Sequence, residues 1–230
     1  MTFNPHIAFE DNHILVLEKP AGLLSQADHT GDPNLVDLVK EHLKVKYQKP
    51  GNVYLGLVHR LDRPVAGLMV LGKTSKASSR LQLMFKEGRI EKSYLAVTTH
   101  HPDKEEGTLV HYLTKDESKN KTKVYEYAAK NTKQCSLEYR VLANLQGRCL
   151  MEVRLHTGRS HQIRAQLAHI GCPICGDTKY GRIGGKSEND LALYAYRLGL
   201  VHPVTGESHE WISFPPEKGF WRGFRSFFPR

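Results

Sequence analysis

The chain has 230 residues, 40% of them hydrophobic, which is enough for a globular core and suits one large domain or two small ones. No stretch approaches the ~18 apolar residues that span a bilayer, and the opening residues lack an export signal, so we expect a cytoplasmic protein with no membrane contact. Thirty-three lysines and arginines against 24 acids give a formal net charge of +9, which favours a polyanionic partner over a merely basic protein.

Predicted strands and helices alternate in the first part of the chain. Residues 13–19 predict a buried strand that ends in a Pro-Ala-Gly turn at residues 20–22. Asp32 followed by Pro33 is typical of a helix start, so we predict a helix with Asp32 as its N-cap. Residues 44–51 predict a solvated connector after this helix.

Asp62 lies between Arg60 and Arg63, on a loop that we expect to lead into a buried strand at residues 68–71. Positive charge on both sides favours the ionised carboxylate. Asp62 is therefore better suited to act as a nucleophile or electrostatic stabiliser than as a proton donor. From the spacing alone, an ion pair that fixes a turn explains the residue equally well.

A helix and a strand follow the Asp62 loop. Thr74 predicts the N-cap of the helix, and Gly88 predicts its end. Residues 91–98 predict a strand in which Lys92 and Tyr94 share one face, because side chains alternate along a strand. On residue type alone, an aromatic side chain in a strand indicates packing more often than catalysis.

The middle of the chain is predicted to contain two hairpins. Residues 100–133 are polar and indicate a mobile arm or a hairpin, whose lysines are either solvated or in contact with phosphate. Those lysines are Lys115, Lys119, Lys121 and Lys123. Residues 135–145 and 148–155 alternate in polarity around Gln146-Gly147, which predicts two antiparallel strands joined by a tight turn.

A cluster of basic residues follows the second hairpin. Ser160 predicts the N-cap of a helix that ends at Gly171. Arg159, His161 and Arg164 would then gather at the helix N-terminus, where the macrodipole disfavours cations. We therefore expect an anionic partner for this cluster, either a carboxylate of the protein or a phosphate.

The four cysteines are too few and too irregularly spaced for a disulfide framework, which fits a reducing compartment. Cys172 and Cys175 invite a metal or redox interpretation. A zinc ribbon needs a second Cys-x-x-Cys, and a nucleobase deaminase needs a His-x-Glu. The sequence contains neither motif. We predict a turn with two incidental thiols and no metal site.

The end of the chain is predicted to form a glycine-rich loop at residues 177–185 and a pair of strands at 191–200 and 208–214. Residues 221–230 are basic and aromatic. They suit either stacking on bases or docking on the body of the protein.

Several segments resemble, in the same order, the motifs of the RluA family of RNA pseudouridine synthases, and the likeness covers most of the chain from Ile14 to Trp211. The segments are Lys19-Pro20-Ala21-Gly22, His59-Arg60-Leu61-Asp62-Arg63, Lys92-Ser93-Tyr94, Thr157-Gly158-Arg159-Ser160-His161-Gln162-Ile163-Arg164 and Gly176-Asp177-Thr178-Lys179-Tyr180-Gly181. The chain departs from the family at Val65 and Ala66, where threonine or serine is usual.

The resemblance implies an α+β fold with a mixed, mostly antiparallel central sheet and flanking helices, in a single catalytic domain over residues 1–230. It implies conversion of uridine to pseudouridine in tRNA or rRNA, without a metal or organic cofactor. An S4-type RNA-binding module has no room before Ile14, so we expect none, and we expect a monomer. The missing module and Arg63-Pro64 resemble the TruC-like, tRNA-acting branch of the family.

The resemblance also implies roles for individual residues. Asp62 would be the catalytic nucleophile, Tyr94 would take part in proton transfer at C5 of the base, and Arg164 would pair with Asp62. Arg60 would occupy the place that the target base leaves in its stack. The remaining substrate-binding candidates are His59, Lys92, His161 and Leu193.

Two other functions compete with this interpretation. One is a catalytically idle RNA-binding protein on the same scaffold, which an intact set of Asp62, Tyr94 and Arg164 argues against. The other is a glycoside or nucleoside hydrolase, which needs a second carboxylate in a motif. The sequence offers only one such carboxylate.

Overall fold

The computed structural model describes residues 3–181 and 191–229. The chain forms two compact units. The first consists of residues 1–90 and 197–213, and the second consists of residues 91–196 and 214–230. Over the described residues the fold is α+β, with mostly antiparallel strands and three α-helices, and the predicted fold class is confirmed. Within the described part of the chain, no helix is long and apolar enough to cross a membrane.

The first unit pairs a small antiparallel sheet with two helices. Its elements are β1 (His6–Glu10), β2 (Ile14–Lys19), α1 (Leu35–Lys46), β3 (Gly56–Leu57), β4 (Ala66–Gly72), α2 (Ser75–Lys86), the last residues of β10 (Leu193–Val201) and β11 (Ser208–Ile212). Strand β2 pairs with both β1 and β4, and β10 pairs with β11. Apolar side chains of β2, β4 and α2 form its core, including Ile14, Val16, Leu68, Val70 and Leu81.

The second unit is dominated by long antiparallel strands. Its elements are β5 (Glu91–Thr98), β6 (Glu106–Asp116), β7 (Lys121–Tyr125), β8 (Lys133–Leu145), β9 (Arg148–Leu155), α3 (Gln162–His169) and the first residues of β10. The strands β5, β9, β8, β6 and β7 are neighbours in that order. Of the two interpretations of residues 100–133, the hairpin is confirmed.

The tight turn between β8 and β9 is confirmed as well. Gln146 and Gly147 both have positive φ, at 52° and 75°. This is the conformation that matches a two-residue turn to the twist of the strands it joins. The strand pair therefore begins at Leu145 and Arg148, as the polarity pattern predicted.

The predicted start of α1 is wrong by two residues. Asn34 is the N-cap, because its side chain accepts a hydrogen bond from the Asp37 N–H at 3.1 Å. Asp32 instead pairs with Arg63 at 2.7 Å. The helix also runs to Lys46, into the segment predicted as a connector.

The C-terminal segment decides one further prediction, and another falls partly outside the described residues. Trp221 and Phe224 are buried in the second unit, and Phe228 stacks on Phe214, so the docking interpretation of the aromatic tail is confirmed. Residues 182–185 of the predicted glycine-rich loop lie outside the described residues.

Gly72 lets helix α2 pack directly on the backbone of β4. A Cβ atom added at Gly72 would lie 2.9 Å from the backbone nitrogen and Cα of Ser78. Because backbone atoms cannot turn aside, we expect Gly72→Ala to lower the free energy of unfolding by about 1–3 kcal/mol. Urea denaturation measures this. The matched control is Gly51→Ala, where an added Cβ meets no atom of the described residues within 4 Å. Equal losses in the two variants would contradict the packing argument.

Candidate active site

The Asp62 loop is held by hydrogen bonds on both sides of the aspartate. Before it, the Ser25 hydroxyl donates to the Leu61 carbonyl at 2.8 Å and accepts from the Leu61 N–H at 3.2 Å. After it, the Arg63 carbonyl accepts from the Gly22 N–H at 2.8 Å. Asp62 itself is half-buried on this loop, directly before β4, as predicted. Its carboxylate therefore projects from a fixed backbone.

Lys19 is a buried cation next to this loop that sequence reasoning left without a role. Its ammonium donates to the carbonyls of Pro20, Leu23 and Arg63 at 2.9, 2.8 and 3.1 Å. Burial lowers the pKa of Lys19 to about 7, while the charge of Asp62 acts in the opposite direction and raises it. The sequence feature that could have pointed to Lys19 is a lysine at the end of a mostly apolar strand.

Replacing Lys19 by methionine tests its charge. Between pH 7 and 10.5 the unfolded chain keeps a proton that folded Lys19 has released, so stability rises with pH in this window. We expect the stability of the wild type relative to Lys19→Met to grow between pH 7 and pH 9, by on the order of 1 kcal/mol per pH unit. Urea denaturation at both pH values measures it, with the exposed Lys86→Met as control. A difference that does not change with pH would mean that folded Lys19 keeps its proton.

The two other candidates on this loop have different surroundings. Arg60 is exposed, as a residue that contacts RNA must be. His59 accepts the Val70 N–H at 3.0 Å through Nε2, and its ring stacks on Phe85 at 4.6 Å. His59 thus helps to fix β4, and the substrate contacts of both residues stay predictions.

Tyr94 and Lys92 lie on β5 in the second unit. Tyr94 is buried opposite Val153 of β9. Lys92 is half-buried, and burial lowers its pKa. Its ammonium lies beside Gly158, 3.7 Å from where a Cβ would stand. The strand therefore brings Lys92 to the loop that precedes α3.

Arg164 is buried on α3 and forms a two-pronged ion pair with Asp177. Its Nε and Nη2 atoms donate to the two carboxylate oxygens at 2.8 and 2.9 Å. Burial alone would raise the pKa of Asp177, but Arg164 and the N–H groups of Tyr180 and Lys179 outweigh it and hold the pKa below its usual value. Asp177 is thus ionised, and the anionic partner of Arg164 within this unit is a protein carboxylate. The predicted pairing of Arg164 with Asp62 stays a prediction.

The start of α3 differs from its prediction. The helix begins at Gln162, and the preceding His161 has a left-handed backbone with φ of 53°. Ser160 is not the N-cap, because His161 takes that position and no side chain caps the helix there. The Gln162 side chain instead binds the segment before the helix, since its Oε1 accepts the Arg159 N–H at 3.1 Å. The predicted basic cluster is therefore split, with Arg159 exposed and Arg164 buried.

Tyr180 connects this helix start to the β6–β7 hairpin. Its hydroxyl accepts the Thr122 N–H at 2.6 Å and lies 2.8 Å from Nδ1 of His161. The Arg164 guanidinium lies over its ring, 5.4 Å from the centroid. Sequence reasoning noted the motif of Asp177 and Tyr180 without assigning it a task.

The remaining candidates are buried. Leu193 at the start of β10 is a core residue by exposure, and its predicted substrate contact stays a prediction. The four cysteines are free thiols in the second unit, and burial raises the pKa of Cys149 and Cys175 to about 11. Neutral thiols are poor nucleophiles and poor metal ligands, which agrees with the prediction of incidental cysteines.

Comparison with known proteins decides the family. Residues 13–169 match the family model described as RNA pseudouridylate synthase. The chain belongs to this family. The RluA-type resemblance of its motifs is thereby confirmed, and the protein is an RNA pseudouridine synthase, an isomerase.

Curated relatives agree with the assignment of this synthase, and a solved structure shares its fold. It is 33% identical over 222 residues to ribosomal large subunit pseudouridine synthase D of Zymomonas mobilis, a match that covers 92% of this chain and 69% of the relative. A protein of the same description from Pseudomonas aeruginosa is 33% identical over 233 residues, covering 94% and 69%. The human RNA pseudouridylate synthase domain containing 4 shares the fold, with a TM-score of 0.76, 24% identity and coverage of 94% and 90%.

Proposed function

We propose that this synthase isomerises specific uridines in structured RNA and that Asp62 is its nucleophile. The observation that carries the proposal is the Asp62 loop, in which a half-buried carboxylate beside buried Lys19 projects from a backbone fixed through Ser25 and Gly22. A carboxylate held in a fixed position in this way can act as a nucleophile.

The reaction requires three operations. The N1–C1′ bond breaks, the base turns, and C5 bonds to C1′ while the C5 hydrogen leaves as a proton and N1 takes up a proton. Asp62 stabilises the intermediate by attacking either C1′ of the sugar or C6 of the base. Tyr94 takes part in the proton transfer at C5, and Arg164 pairs with Asp62.

The target uridine must leave its stack to reach these groups. We assign Arg60 to the vacated position in the RNA, and its exposure supports this role. His59, Lys92, His161 and Leu193 are the further substrate-binding candidates.

Two classes of RNA are proposed as substrate. The relatives described as ribosomal large subunit synthases favour rRNA, whereas Arg63-Pro64 favours tRNA. The net charge of +9 supports binding to either through the phosphate backbone. The lysines of the β6–β7 hairpin are candidates for these phosphate contacts.

Tritium release tests the proposal. RNA carrying 5-tritiated uridine loses tritium to water only when C5 exchanges its hydrogen for the bond to C1′. We expect release from large-subunit rRNA or from tRNA, and the RNA that responds identifies the substrate class. If neither RNA releases tritium although both bind in a salt-sensitive manner, the protein is an idle RNA binder and the proposal fails.

A further inference from the structure

Three side chains in the second unit, apart from the residues assigned to catalysis, converge on one point. Among the described residues, His111, Glu126 and His169 each offer one ligand atom, and these atoms lie within 4.8 Å of one another. His111 lies on β6, Glu126 directly follows β7, and His169 is the last residue of α3. Three separate elements therefore contribute to the cluster.

We propose that His111, Glu126 and His169 form a binding site for a divalent transition-metal ion, with Zn²⁺ as the best fit. Two imidazoles and one carboxylate, with further positions open to water, are a set of ligands that zinc uses in proteins. Tetrahedral bonds of 2.0–2.1 Å would place the ligand atoms about 3.4 Å apart.

The distances in the cluster are close to that requirement. Glu126 Oε1 lies 3.7 Å from His111 Nε2 and 2.5 Å from His169 Nε2. The rings of the two histidines meet edge to face, with centroids 5.0 Å apart. Side-chain rotations that move the ligand atoms by about 1 Å would give the tetrahedral spacing. Glu126 and His169 are exposed enough to make these rotations, and the site is open to solvent on their side.

Gln166 determines which nitrogen of His111 is available. Its amide nitrogen lies 2.9 Å from His111 Nδ1 and 3.2 Å from the Leu109 carbonyl, while its buried Oε1 has no hydrogen-bond partner among the described residues. In this orientation Nδ1 is an acceptor and Nε2 carries the proton. Turning the amide over lets Oε1 accept Nδ1–H, which leaves the Nε2 lone pair for the metal. Metal binding is therefore coupled to this rotation, at the expense of the bond to Leu109.

A metal ion here would fasten the β6–β7 hairpin to α3. The hairpin carries the lysines proposed to contact RNA phosphates, and α3 carries Arg164. The ion would thus stabilise the arrangement of these two elements and leave the Asp62 chemistry to the protein's own groups.

Titration of tag-free protein with Zn²⁺, and with Co²⁺ for its absorption bands, tests the site. We expect one ion per chain with a dissociation constant of about 1–10 µM and a rise of several degrees in the melting temperature at saturation. His169→Ala and Glu126→Gln change exposed ligands, so they should fold normally and weaken binding by at least about tenfold. Gln166→Glu supplies a carboxylate for Nδ1–H and should strengthen binding by about tenfold.

His156→Ala is the matched control. His156 pairs with Glu138 at 3.1 Å in the same unit, and within residues 3–181 and 191–229 no third ligand group joins them. It should bind the ion like the wild type. The proposal is overturned if the wild type binds no Zn²⁺ at a concentration 100-fold above the expected dissociation constant. It is also overturned if His169→Ala and Glu126→Gln bind Zn²⁺ as tightly as His156→Ala does. The cluster would then be an ordinary His–Glu hydrogen bond.

Discussion

Asp62→Asn is expected to lower tritium release by at least about a thousandfold, which corresponds to ~4 kcal/mol of transition-state stabilisation. Asparagine has nearly the same shape but carries no charge and is not a nucleophile at neutral pH. The loop should keep its place, because the bonds from Ser25 and Gly22 act on the backbone and not on the Asp62 carboxylate. Single-turnover tritium release on the responsive RNA measures the loss.

The matched control is Asp32→Asn, which removes a carboxylate from the same region. Asp32 pairs with Arg63 at 2.7 Å, and both side chains are more than 40% exposed, so losing this pair should cost under about 1 kcal/mol and leave release intact. The RNA affinity and the melting temperature of both variants are measured in parallel. Normal turnover by folded Asp62→Asn would remove Asp62 from the role of nucleophile.

Asp177→Asn is expected to have the largest effect on stability, about 3–5 kcal/mol, because it removes the charge of a buried carboxylate that binds the Arg164 guanidinium through two hydrogen bonds. The loss should be fully present at neutral pH. Since the folded pKa of Asp177 lies below the unfolded value of 3.8, the difference from wild type should shrink as the pH falls below 3.8 and level off once the pH is below the folded pKa. Urea denaturation between pH 7 and the acid limit of folding measures this.

Glu210→Gln is the control for this pair. Glu210 accepts from Arg197 at 2.6 and 2.8 Å, but both side chains are about 40% exposed, so we expect a loss of under about 1 kcal/mol. Similar losses in the two variants would mean that burial does not set the strength of the Arg164–Asp177 pair. A double-mutant cycle with Arg164→Gln then gives the coupling energy directly.

Local patterns predicted most of the fold. The turn at Gln146-Gly147 and the cap at Thr74 depend on the conformational preferences of a few neighbouring residues, and both are present as predicted. The predicted start of α1 was wrong because both Asp32 and Asn34 are residue types that cap helices well. The choice between them depends on the Asp32 contact with Arg63, which is distant in sequence.

The candidate site was only partly predictable for the same physical reason. Motif likeness identified Asp62, Tyr94 and Arg164, but the ion pair of Arg164 with Asp177 depends on how the chain folds back after α3. Lys19 was missed because a charged residue in an apolar strand is informative only once its three carbonyl acceptors are known.

The four buried cysteines provide the second unit with a built-in probe of its own opening. Each lies on or next to the strands and helix of that unit, and all four are buried. Burial also raises the pKa of each thiol, so the folded unit presents few reactive thiolates. A thiol-specific reagent can therefore label them only through local or global unfolding. The labelling rate separates a variant that has loosened this unit from one that has lost only its chemistry, without any need for an RNA substrate.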